Sequence, residues 1–375
     1  MVSLREIPKT MVKPDYENSI VNLSNWILKN FEKEVHHDSL NLDIGFEKIG
    51  LIIVDAFGYI AYEKMRKFYS PKNLPEPEKI TSVFPSTTTA ALTSIYTART
   101  PSEHGMVGYI VFLKEYGFLV NMIELSPVGY ERDALKDRME FKLPVKTIFE
   151  ELEGIESYVV SPARYSGSGL STMFHKGAKV IGYTSIGDFV FKFRDILSES
   201  GKKLVIGYIP NTDSVGHREG ERAYINEASI ILRQMDTIIA SKIPKRTALL
   251  ISADHGMIRT PKSKEIWWNV TDEIMKYLLM PPGGERRMMH LYTKRPEALL
   301  NYLEENYPDK GVFLKKEKAI ELFGGDHERI GDVVLIANEN YSFNFKYRFR
   351  EDSLAGMHGG LSEDEMYVPL FYISR

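Results

Sequence analysis

Four short apolar runs, each ending at a polar residue, dominate the pattern of hydrophobic and polar positions. They are Ile49–Val54, Leu204–Ile209, Ala248–Ile251 and Val333–Ala337. Continuous apolar runs of this length are typical of strands that are buried on both faces of a parallel sheet. We therefore predict four such strands, with polar residues at their carboxyl ends.

Segments with helical periodicity separate these strands. Asp15–Phe31 and Glu221–Ser241 carry apolar residues three and four positions apart, as amphipathic helices do. The alternation predicts an α/β fold, with a central, mostly parallel sheet between layers of helices. Ligands of such sheets gather beyond the carboxyl ends of the strands. Asp55, Asp213 and Asp254 each follow a predicted strand, so we expect them at a shared site.

A break rich in proline and glycine, Pro281–Glu285, interrupts the pattern late in the chain. After it, a strand is predicted at Met288–Tyr292 and a helix at Arg295–Tyr307. These features predict a small inserted α+β subdomain, or cap, at 259–345. Residues 1–258 and 346–375 would then form the catalytic core.

A hydroxyl-rich stretch, Phe84-Pro-Ser-Thr-Thr-Thr-Ala-Ala91, joins a predicted short strand at Ile80–Phe84 to a predicted helix. A hydroxyl at the start of a helix lies beside free backbone N–H groups, where an anion is stabilised. Such a hydroxyl is well placed to attack phosphorus. Serine and threonine also begin many helices simply as N-caps, and the stretch alone does not separate the two roles.

Composition narrows the chemistry further. The 375 residues carry a net charge of −3 and no cysteine, which excludes disulfides, thiolate metal ligands and cysteine nucleophiles. The lack of a basic excess argues against tight binding of nucleic acid, although a nucleotide remains a suitable substrate. No apolar run has membrane-spanning length, and Met1–Pro14 lacks the apolar core of a secretory signal. We expect a cytoplasmic protein, and its scarcity of glutamine beside abundant Lys and Glu is a tendency of thermophiles.

Several carboxylates and imidazoles are spaced like metal ligands. Asp213 and His217 are four residues apart, so one helical turn would bring both to one cation. Asp254 and His255 are adjacent after a predicted strand, and His358 lies beside glycines that permit a close approach to a ligand. Each alone could be a cap or a solvated loop residue. Together, with a hydroxyl nucleophile and no cysteine, they fit two zinc-like sites.

Other histidines are not expected to bind metal. His36–Asp38 lies in a polar connector with no strand before it, and Asp326–His327 precedes a predicted strand instead of following one. His175 and His290 have no clustered partners and are expected to be structural.

Five motifs follow one another along the chain: Ile53–Asp55, Pro85–Thr88 with Thr97–Gly105, Tyr208–His217, Ser252–Met257 and Gly356–Gly359. Together they resemble the alkaline phosphatase superfamily, and more narrowly its type I phosphodiesterase/nucleotide pyrophosphatase branch. The resemblance covers nearly the whole chain and is weakest in 259–345. It implies a hydrolase of phosphoric ester or anhydride bonds that uses two divalent metal ions, most suitably Zn²⁺.

The resemblance also implies a role for each matching residue. Thr88 would be the nucleophile, because it lies sixteen residues before His104 as in that family; Thr87 and Thr89 are the alternatives. His104 itself is expected to be structural. One metal ion would be held by Asp213, His217 and His358. The other would be held by Asp55, Asp254 and His255, with Thr88 as a further ligand.

Tyr109 stands where phosphodiesterases of this branch carry an asparagine that donates to a phosphoryl oxygen. A phenol also donates one hydrogen bond, with a different reach, so we expect Tyr109 in the substrate-binding site as a donor or as an entrance wall. The implied enzyme forms a phosphothreonine intermediate from a small phosphate ester or nucleotide. A phosphomonoesterase or phosphonoacetate hydrolase of the same superfamily is the alternative, followed by a metal-binding pseudoenzyme. The oligomeric state stays open.

Overall fold

The computed structural model of this protein describes residues 7–135, 142–167, 169–348 and 352–375. The segment Met1–Pro14 was expected not to be a secretory signal, and its first six residues lie outside the described residues. Two seven-stranded sheets, together with helices and two small two-stranded sheets, form this part of the chain.

The strands, in chain order, are β1 (Lys48–Val54), β2 (Glu78–Thr81), β3 (Ile110–Leu113), β4 (Phe118–Asn121), β5 (Ser126–Pro127), β6 (Glu156–Pro162), β7 (Lys179–Tyr183), β8 (Lys203–Ile209), β9 (Thr247–Ser252), β10 (Ile258–Arg259), β11 (Glu265–Trp268), β12 (Gly283–Gly284), β13 (Met288–Leu291), β14 (Gly311–Lys315), β15 (Val333–Ala337), β16 (Ser342–Phe345), β17 (Gly356–Met357) and β18 (Tyr367–Ser374). The α-helices are α1 (Ile20–Asn30), α2 (Tyr59–Met65), α3 (Thr88–Thr97), α4 (Pro101–His104), α5 (Ile148–Glu151), α6 (Ser171–Phe174), α7 (Ile186–Ser198), α8 (Asn211–Glu219), α9 (Glu221–Gln234), α10 (Pro296–Asn306), α11 (Lys316–Ala319) and α12 (Glu363–Met366). Short 3₁₀ segments occupy Ala163–Tyr165, Ala240–Lys242, Lys262–Lys264, Glu273–Lys276 and Ile320–Phe323, and Met235–Ile239 is a π-helical turn.

The central sheet has the strand order β2-β18-β9-β1-β8-β6-β7. Strands β9, β1, β8, β6 and β7 run parallel to one another, and β18 is antiparallel to both β9 and β2. The predicted α/β fold with a mostly parallel central sheet is therefore confirmed. Val54 pairs with Ile209, and Ile53 pairs with Ser252, so β1, β8 and β9 end at the same level.

Helices cover the central sheet closely. A Cβ added to Gly207 in β8 would lie 2.5 Å from the Phe189 ring of α7, so only glycine lets this helix approach the strand. Trp26 of α1 packs edge-on against Tyr372 of β18, with ring centroids 6.1 Å apart. This packing buries the strands on their faces, which explains the continuous apolar runs in the sequence.

The run Val333–Ala337 forms a strand, but the expectation that it joins the parallel sheet is wrong. It is β15 of the second sheet, whose strand order is β14-β15-β13-β12-β3-β4-β5, and it pairs antiparallel with β13 and β14. Its residues alternate between two hydrophobic cores: Val334 and Ile336 pack in the main core, and Val333 and Leu335 in the smaller one. Any strand between two cores reads as a continuous apolar run, whichever sheet it joins.

Three other predicted elements differ from the structure at their ends by more than one residue. The helix expected at Asp15–Phe31 begins only at Ile20, after the N-cap Ser19. The strand expected at Ile80–Phe84 is β2, which ends at Thr81; the next residue, Ser82, donates its hydroxyl to the Asp254 carbonyl (2.5 Å). The helix expected at Glu221–Ser241 is α-helical only to Gln234. In the π-helical turn that follows, the Asp236 carboxylate accepts backbone N–H groups from an adjacent loop.

The second sheet crosses the predicted boundary of the insert. Its strands β12 to β15 come from the predicted subdomain at 259–345, whereas β3 to β5 come from 110–127. Gly284 of β12 pairs with Ile110 of β3 and joins the two parts. The division of the chain into a core and an insert remains a prediction.

Candidate functional site

Three aspartates lie where the parallel strands β1, β8 and β9 end. Asp55 follows β1, Asp254 follows β9, and Asp213 lies in the first turn of α8, which follows β8. The Asp55 N–H donates to the Ile209 carbonyl (2.9 Å), and Asp254 Oδ1 accepts the Ala56 N–H (3.1 Å). These contacts tie the strand ends together, so the aspartates expected at one site are neighbours.

Asp55, Asp254 and His255 form one buried group whose candidate ligand atoms all lie within 4.8 Å of one another. His255 Nε2 is 3.5 Å from both Asp55 Oδ1 and Asp254 Oδ2. The His255 Nδ1–H donates to the Gly256 carbonyl (2.9 Å), which leaves a lone pair on Nε2. Asp55 Oδ1 and Asp254 Oδ2 have no hydrogen-bond partner among the described residues. Converging lone pairs of this kind fit a cation.

Asp213, His217 and His358 also lie together. Asp213 Oδ1 is 3.1 Å from His217 Nε2 and 3.6 Å from His358 Nε2. Within a 4.8 Å limit, Asp213 and His358 group with His255 instead of His217. His255 stacks on His358 with ring centroids 4.0 Å apart, so the two groups of candidate ligands are in direct contact.

Burial and crowding of charge shift the protonation of these groups. Burial, with Asp254 and Asp213 nearby, raises the pKa of Asp55 well above its ordinary value. Burial and the neighbouring His255 lower the pKa of His358 well below its ordinary value. Crowded carboxylates at one end of the site and an uncharged imidazole at the other suit a bound divalent cation, which would relieve the repulsion that raises the pKa of Asp55.

Asp213 and His217 form an ion pair. Burial opposes charge on both groups, yet each favours the charge of the other, so the pKa of Asp213 is lowered and the pKa of His217 is raised. Protonated His217 then donates from Nε2 to Asp213 and from Nδ1 to the Gly356 carbonyl (2.8 Å). A metal ion between Asp213 and His217 would replace the Nε2 proton.

Thr88 is the first residue of α3, and its Oγ1 lies 3.2 Å from His255 Nε2. It is half-buried, whereas Thr87 and Thr89 are buried. Thr89 donates its hydroxyl to the Gly108 carbonyl (2.9 Å), and Thr87 hydrogen-bonds the Glu285 carboxylate. Of the three threonines, only Thr88 presents its hydroxyl to the candidate metal ligands.

Two cavities meet at Thr88. One, of about 550 Å³, has a mixed wall: polar and charged residues such as Tyr109, Asn121, Glu285 and Arg348 line it together with apolar ones such as Met289. The other, of about 180 Å³, has a largely apolar and aromatic wall, formed by Tyr96, Tyr165, Leu170, Phe174 and Tyr208. A group bound at Thr88 would therefore have room for one substituent on each side.

Tyr109 lines the larger cavity, and a residue that the sequence did not single out fixes its hydroxyl. Asn121 Nδ2 donates to the Tyr109 oxygen (2.7 Å), while Asn121 Oδ1 accepts the Glu124 N–H (3.1 Å). The second bond settles which end of the amide faces the phenol. Among the described residues the phenol proton has no acceptor, so it is available to a ligand. Burial raises the pKa of Tyr109 and keeps that proton in place.

Other residues that hold the candidate ligands were also missed. Tyr208 donates its hydroxyl to Asp55 Oδ2, and Thr212 donates to the Asp55 carbonyl (2.6 Å). Both lie inside the motif Tyr208–His217, so their position in the sequence could have identified them as neighbours of the site. Glu285 lies 3.5 Å from His358 Nδ1, and Asn121 lies beside Tyr109. No local pattern marks either of these two.

The histidines expected to be structural have ordinary protein partners. Buried His104 pairs with Ser94 Oγ (2.9 Å), and buried His290 with the Val107 carbonyl (2.8 Å); burial lowers their pKa values to about 3 and about 4. His175 packs edge-on against Tyr96, and burial lowers its pKa to about 4. His36 Nε2 lies 2.7 Å from the Glu151 carboxylate, and His37 Nε2 lies 2.6 Å from the Glu103 carboxylate. In the other rejected pair, Asp326 forms an ion pair with Lys316 and His327 Nδ1 accepts the Arg329 N–H.

The sheet, the strand-end aspartates and the imidazoles around a helix-terminal threonine define a metal-dependent hydrolase of the alkaline phosphatase type. Residues 72–361 match the type I phosphodiesterase / nucleotide pyrophosphatase family. The chain belongs to this family, whose members are hydrolases of phosphoester and phosphoanhydride bonds, and the resemblance inferred from the five motifs is confirmed.

Individual relatives agree with this assignment. An uncharacterized pyrophosphatase/phosphodiesterase of Schizosaccharomyces pombe is 25% identical over 170 residues, which are 41% of this chain and 35% of the relative. Murine ectonucleotide pyrophosphatase / phosphodiesterase 5 matches with a TM-score of 0.66 and 17% identity over 88% of each chain. Phosphonoacetate hydrolase from Sinorhizobium meliloti matches with a TM-score of 0.61 and 18% identity, over 86% of this chain and 89% of that one. At these identities the two structures show a shared fold.

Among the residues that the structure describes, no helix combines the length and apolar character needed to cross a membrane.

Proposed function

We propose that this protein is a metal-dependent phosphodiesterase or nucleotide pyrophosphatase in which Thr88 is the nucleophile. One observation carries the proposal. The Thr88 hydroxyl stands at the N-terminus of α3, 3.2 Å from His255 Nε2, beside carboxylate oxygens that lack hydrogen-bond partners among the described residues. A nucleophile, a cation-binding set of ligands and an anion-stabilising helix end thus converge on one point.

The donor atoms fit two divalent cations, for which His and carboxylate ligands without thiolates favour Zn²⁺. Asp55, Asp254, His255 and Thr88 would hold one ion, and Asp213, His217 and His358 the other. Bound there, the ions would lower the pKa of the Thr88 hydroxyl and offset charge on the transferring phosphoryl group. The unpartnered Asp55 Oδ1 and Asp254 Oδ2 support this assignment, because buried acceptors are otherwise costly.

The residues of the chain then divide the reaction into two displacements. Thr88 Oγ1 releases its proton to solvent and attacks phosphorus in line, forming a phosphothreonine while the P–O bond to the leaving group breaks and the departing oxygen takes up a proton from solvent. The first turn of α3 stabilises the phosphoryl oxygens with free backbone N–H groups. Water next attacks the phosphothreonine, which releases the phosphate product and restores the Thr88 hydroxyl.

The two cavities at Thr88 favour a diester or an anhydride over a monoester. Phosphorus in a diester carries two substituents, and the larger cavity of about 550 Å³, with its mixed polar and apolar wall, and the aromatic one of about 180 Å³ can take one each. A nucleotide suits this division, because the flat faces of its base can stack on aromatic side chains and its further phosphates can be bound by the polar side chains of the larger cavity. An inactive variant of murine ectonucleotide pyrophosphatase / phosphodiesterase 5 has been crystallised with AMP, which supports a nucleotide as substrate.

The direct test is hydrolysis of a panel of p-nitrophenyl esters after reconstitution with Zn²⁺. The panel contains a phosphate monoester, a phosphate diester, a phosphonate and a sulfate. We expect the highest kcat/KM on the diester and none on the sulfate. A preference for the monoester or for a phosphonate such as phosphonoacetate would replace the proposal by the alternative of the same superfamily. No turnover of any ester with both metals bound would indicate a pseudoenzyme.

Removal of the Tyr109 hydroxyl should slow the reaction. Asn121 already donates to the phenol oxygen, so the phenol proton is directed to a phosphoryl oxygen of the substrate. Tyr109→Phe removes that donor and should lower kcat/KM about 10²–10³-fold. Asn121→Asp should act alike, because a carboxylate would accept the phenol proton itself. The measurement is kcat/KM on a methyl monoester and a methyl diester, neither of which reaches an entrance wall.

The double variant Tyr109→Phe with Asn121→Asp distinguishes a Tyr109 that donates a hydrogen bond to the substrate from a Tyr109 that only forms the entrance wall. If Asn121 acts through Tyr109, Asn121→Asp should add little in the Tyr109→Phe background, since the two residues then form one unit. A Phe variant that matches the wild type on both methyl esters would make Tyr109 a wall, and the phosphoryl oxygen would need another donor.

A further inference from the structure

Three consecutive residues in the turn between β12 and β13 contact the segment 352–365, which carries His358. Glu285 Oε2 lies 3.5 Å from His358 Nδ1. Arg286 Nη1 donates to the Asp352 carbonyl (2.7 Å). Arg287 forms a buried two-point ion pair with Glu365, with N–O distances of 3.0 and 2.9 Å. The turn therefore contacts the segment 352–365 at its beginning, its centre and its end.

The buried ion pair also fixes the backbone next to the histidine. Glu365 Oε1 accepts the Gly360 N–H (2.9 Å), and Arg287 donates in addition to the Tyr341 carbonyl. With both charges paired and hydrogen-bonded, the cost of burying them is offset. This anchor ties the turn that carries Glu285 to the segment that carries His358, so the fold itself places the two side chains side by side.

His358 differs from the other candidate histidine ligands in the partner of its Nδ1. His217 and His255 direct Nδ1 at backbone carbonyls, at 2.8 and 2.9 Å. Nδ1 of His358 is buried without a hydrogen bond at this geometry; the groups beside it are the Ser86 backbone carbonyl and Glu285. A metal-binding histidine almost always donates its second ring N–H to such a group, which sets the tautomer.

Glu285 itself is a buried carboxylate that can accept further hydrogen bonds. Its side chain is 8% exposed, and its Oε1 has no hydrogen-bond partner among the described residues. The approach to the His358 loop depends on Gly359, because a Cβ there would lie 2.5 Å from the Glu285 carboxyl carbon. Gly359 also has a φ of 110°, which only glycine adopts without strain. The loop is thus shaped to admit this side chain.

We propose that Glu285 is a positioning residue of the metal centre: its carboxylate accepts the Nδ1–H of His358 and so keeps the Nε2 lone pair directed at the metal position beside Asp213. The inference rests on the proposed role of His358 as a ligand. It gives the predicted insert a function, because a residue at 285 completes a site whose other members come from the predicted core.

Metal affinity tests the proposal without reference to turnover. Zn²⁺ binding is titrated against a chelating indicator for the wild type, Glu285→Leu and Glu285→Gln, with metal stoichiometry measured by elemental analysis. We expect the Leu variant to bind one of two equivalents about 10–100-fold more weakly, as for other lost partners of ligand histidines. The Gln variant, which keeps a neutral acceptor, should fall between the Leu variant and the wild type.

Matched variants control for general effects. Glu297→Leu removes an exposed carboxylate that pairs with Lys315, also within 259–345, and should leave both affinities unchanged. His358→Ala should lose the same equivalent that Glu285→Leu weakens. If His358→Ala loses a metal and Glu285→Leu does not, the Ser86 carbonyl suffices and the inference is overturned. If His358→Ala keeps both metals, the ligand assignment itself is wrong.

A spectroscopic signature covers the case in which the Leu variant does not fold. In ¹⁵N-labelled protein the imidazole shifts report which His358 nitrogen carries the proton. We expect wild-type His358 to hold its proton on Nδ1, and Glu285→Gln to shift the Nδ1 resonance and weaken the tautomer preference. Identical His358 spectra in the wild type and the Gln variant would contradict a positioning role.

Discussion

Thr88→Ala is expected to abolish turnover while the protein stays folded and keeps its metal. Alanine is a good residue for the first turn of α3, and the carboxylate and imidazole ligands are untouched. Without the hydroxyl no phosphothreonine can form, so kcat should fall by about three to six orders of magnitude, as when a covalent nucleophile is removed. The measurement is kcat on the diester, with circular dichroism and metal content measured on the same samples.

The neighbouring threonines are the matched controls. Thr89→Ala removes a buried hydroxyl that donates to Gly108, so it should cost about 0.5–1.5 kcal/mol of stability and little activity. Thr88→Ser keeps a hydroxyl and should retain measurable turnover. Mass spectrometry of acid-quenched enzyme should find the phosphoryl group on the peptide with Thr88. Near-native activity of Thr88→Ala, together with an inactive Thr87→Ala or Thr89→Ala, would show that the assigned nucleophile is one residue off.

Loss of a metal ion is the second large effect. Asp254→Asn and His358→Ala should each lose one metal equivalent, from different sites. In Asp254 one oxygen accepts the N–H groups of Ala56 and His255, and the other is free for a cation. An asparagine can keep the first role, but its NH₂ group then faces the metal position and cannot bind a cation. Elemental analysis of purified variants counts the remaining ions.

Stability should follow the metal. A ligand that binds only the folded state stabilises it by about 4 kcal/mol at a thousandfold excess over its Kd, so each variant should unfold at a lower temperature than the wild type in excess Zn²⁺. Chelation should remove most of this difference, because the metal-free wild type already contains crowded carboxylates without a cation. The double variant Asp326→Asn with His327→Ala serves as the control and should keep both ions. Two ions retained in Asp254→Asn and in His358→Ala, or an ion lost in the control, would refute the two-site assignment.

The sequence alone determined three central strands, β1, β8 and β9, and the aspartates that follow them. Asp55 and Asp254 were recognisable because a strand buried on both faces must be apolar, so the first charged residue after it marks the strand end. Asp213 and His217 were recognisable because one helical turn separates them. Such signals depend only on residues that are close in the sequence, so they can be recognised without knowledge of the tertiary structure.

The tertiary structure alone decided the rest. The apolar run Val333–Ala337 has the same pattern as a central strand, and only its packing between two cores places it in the second sheet. Asn121 and Glu285 carry no local signal, because their importance comes from a phenol 12 residues away and an imidazole in another segment. A hydrogen-bond partner is selected by distance in space, and sequence periodicity records only the face of the element on which a residue lies.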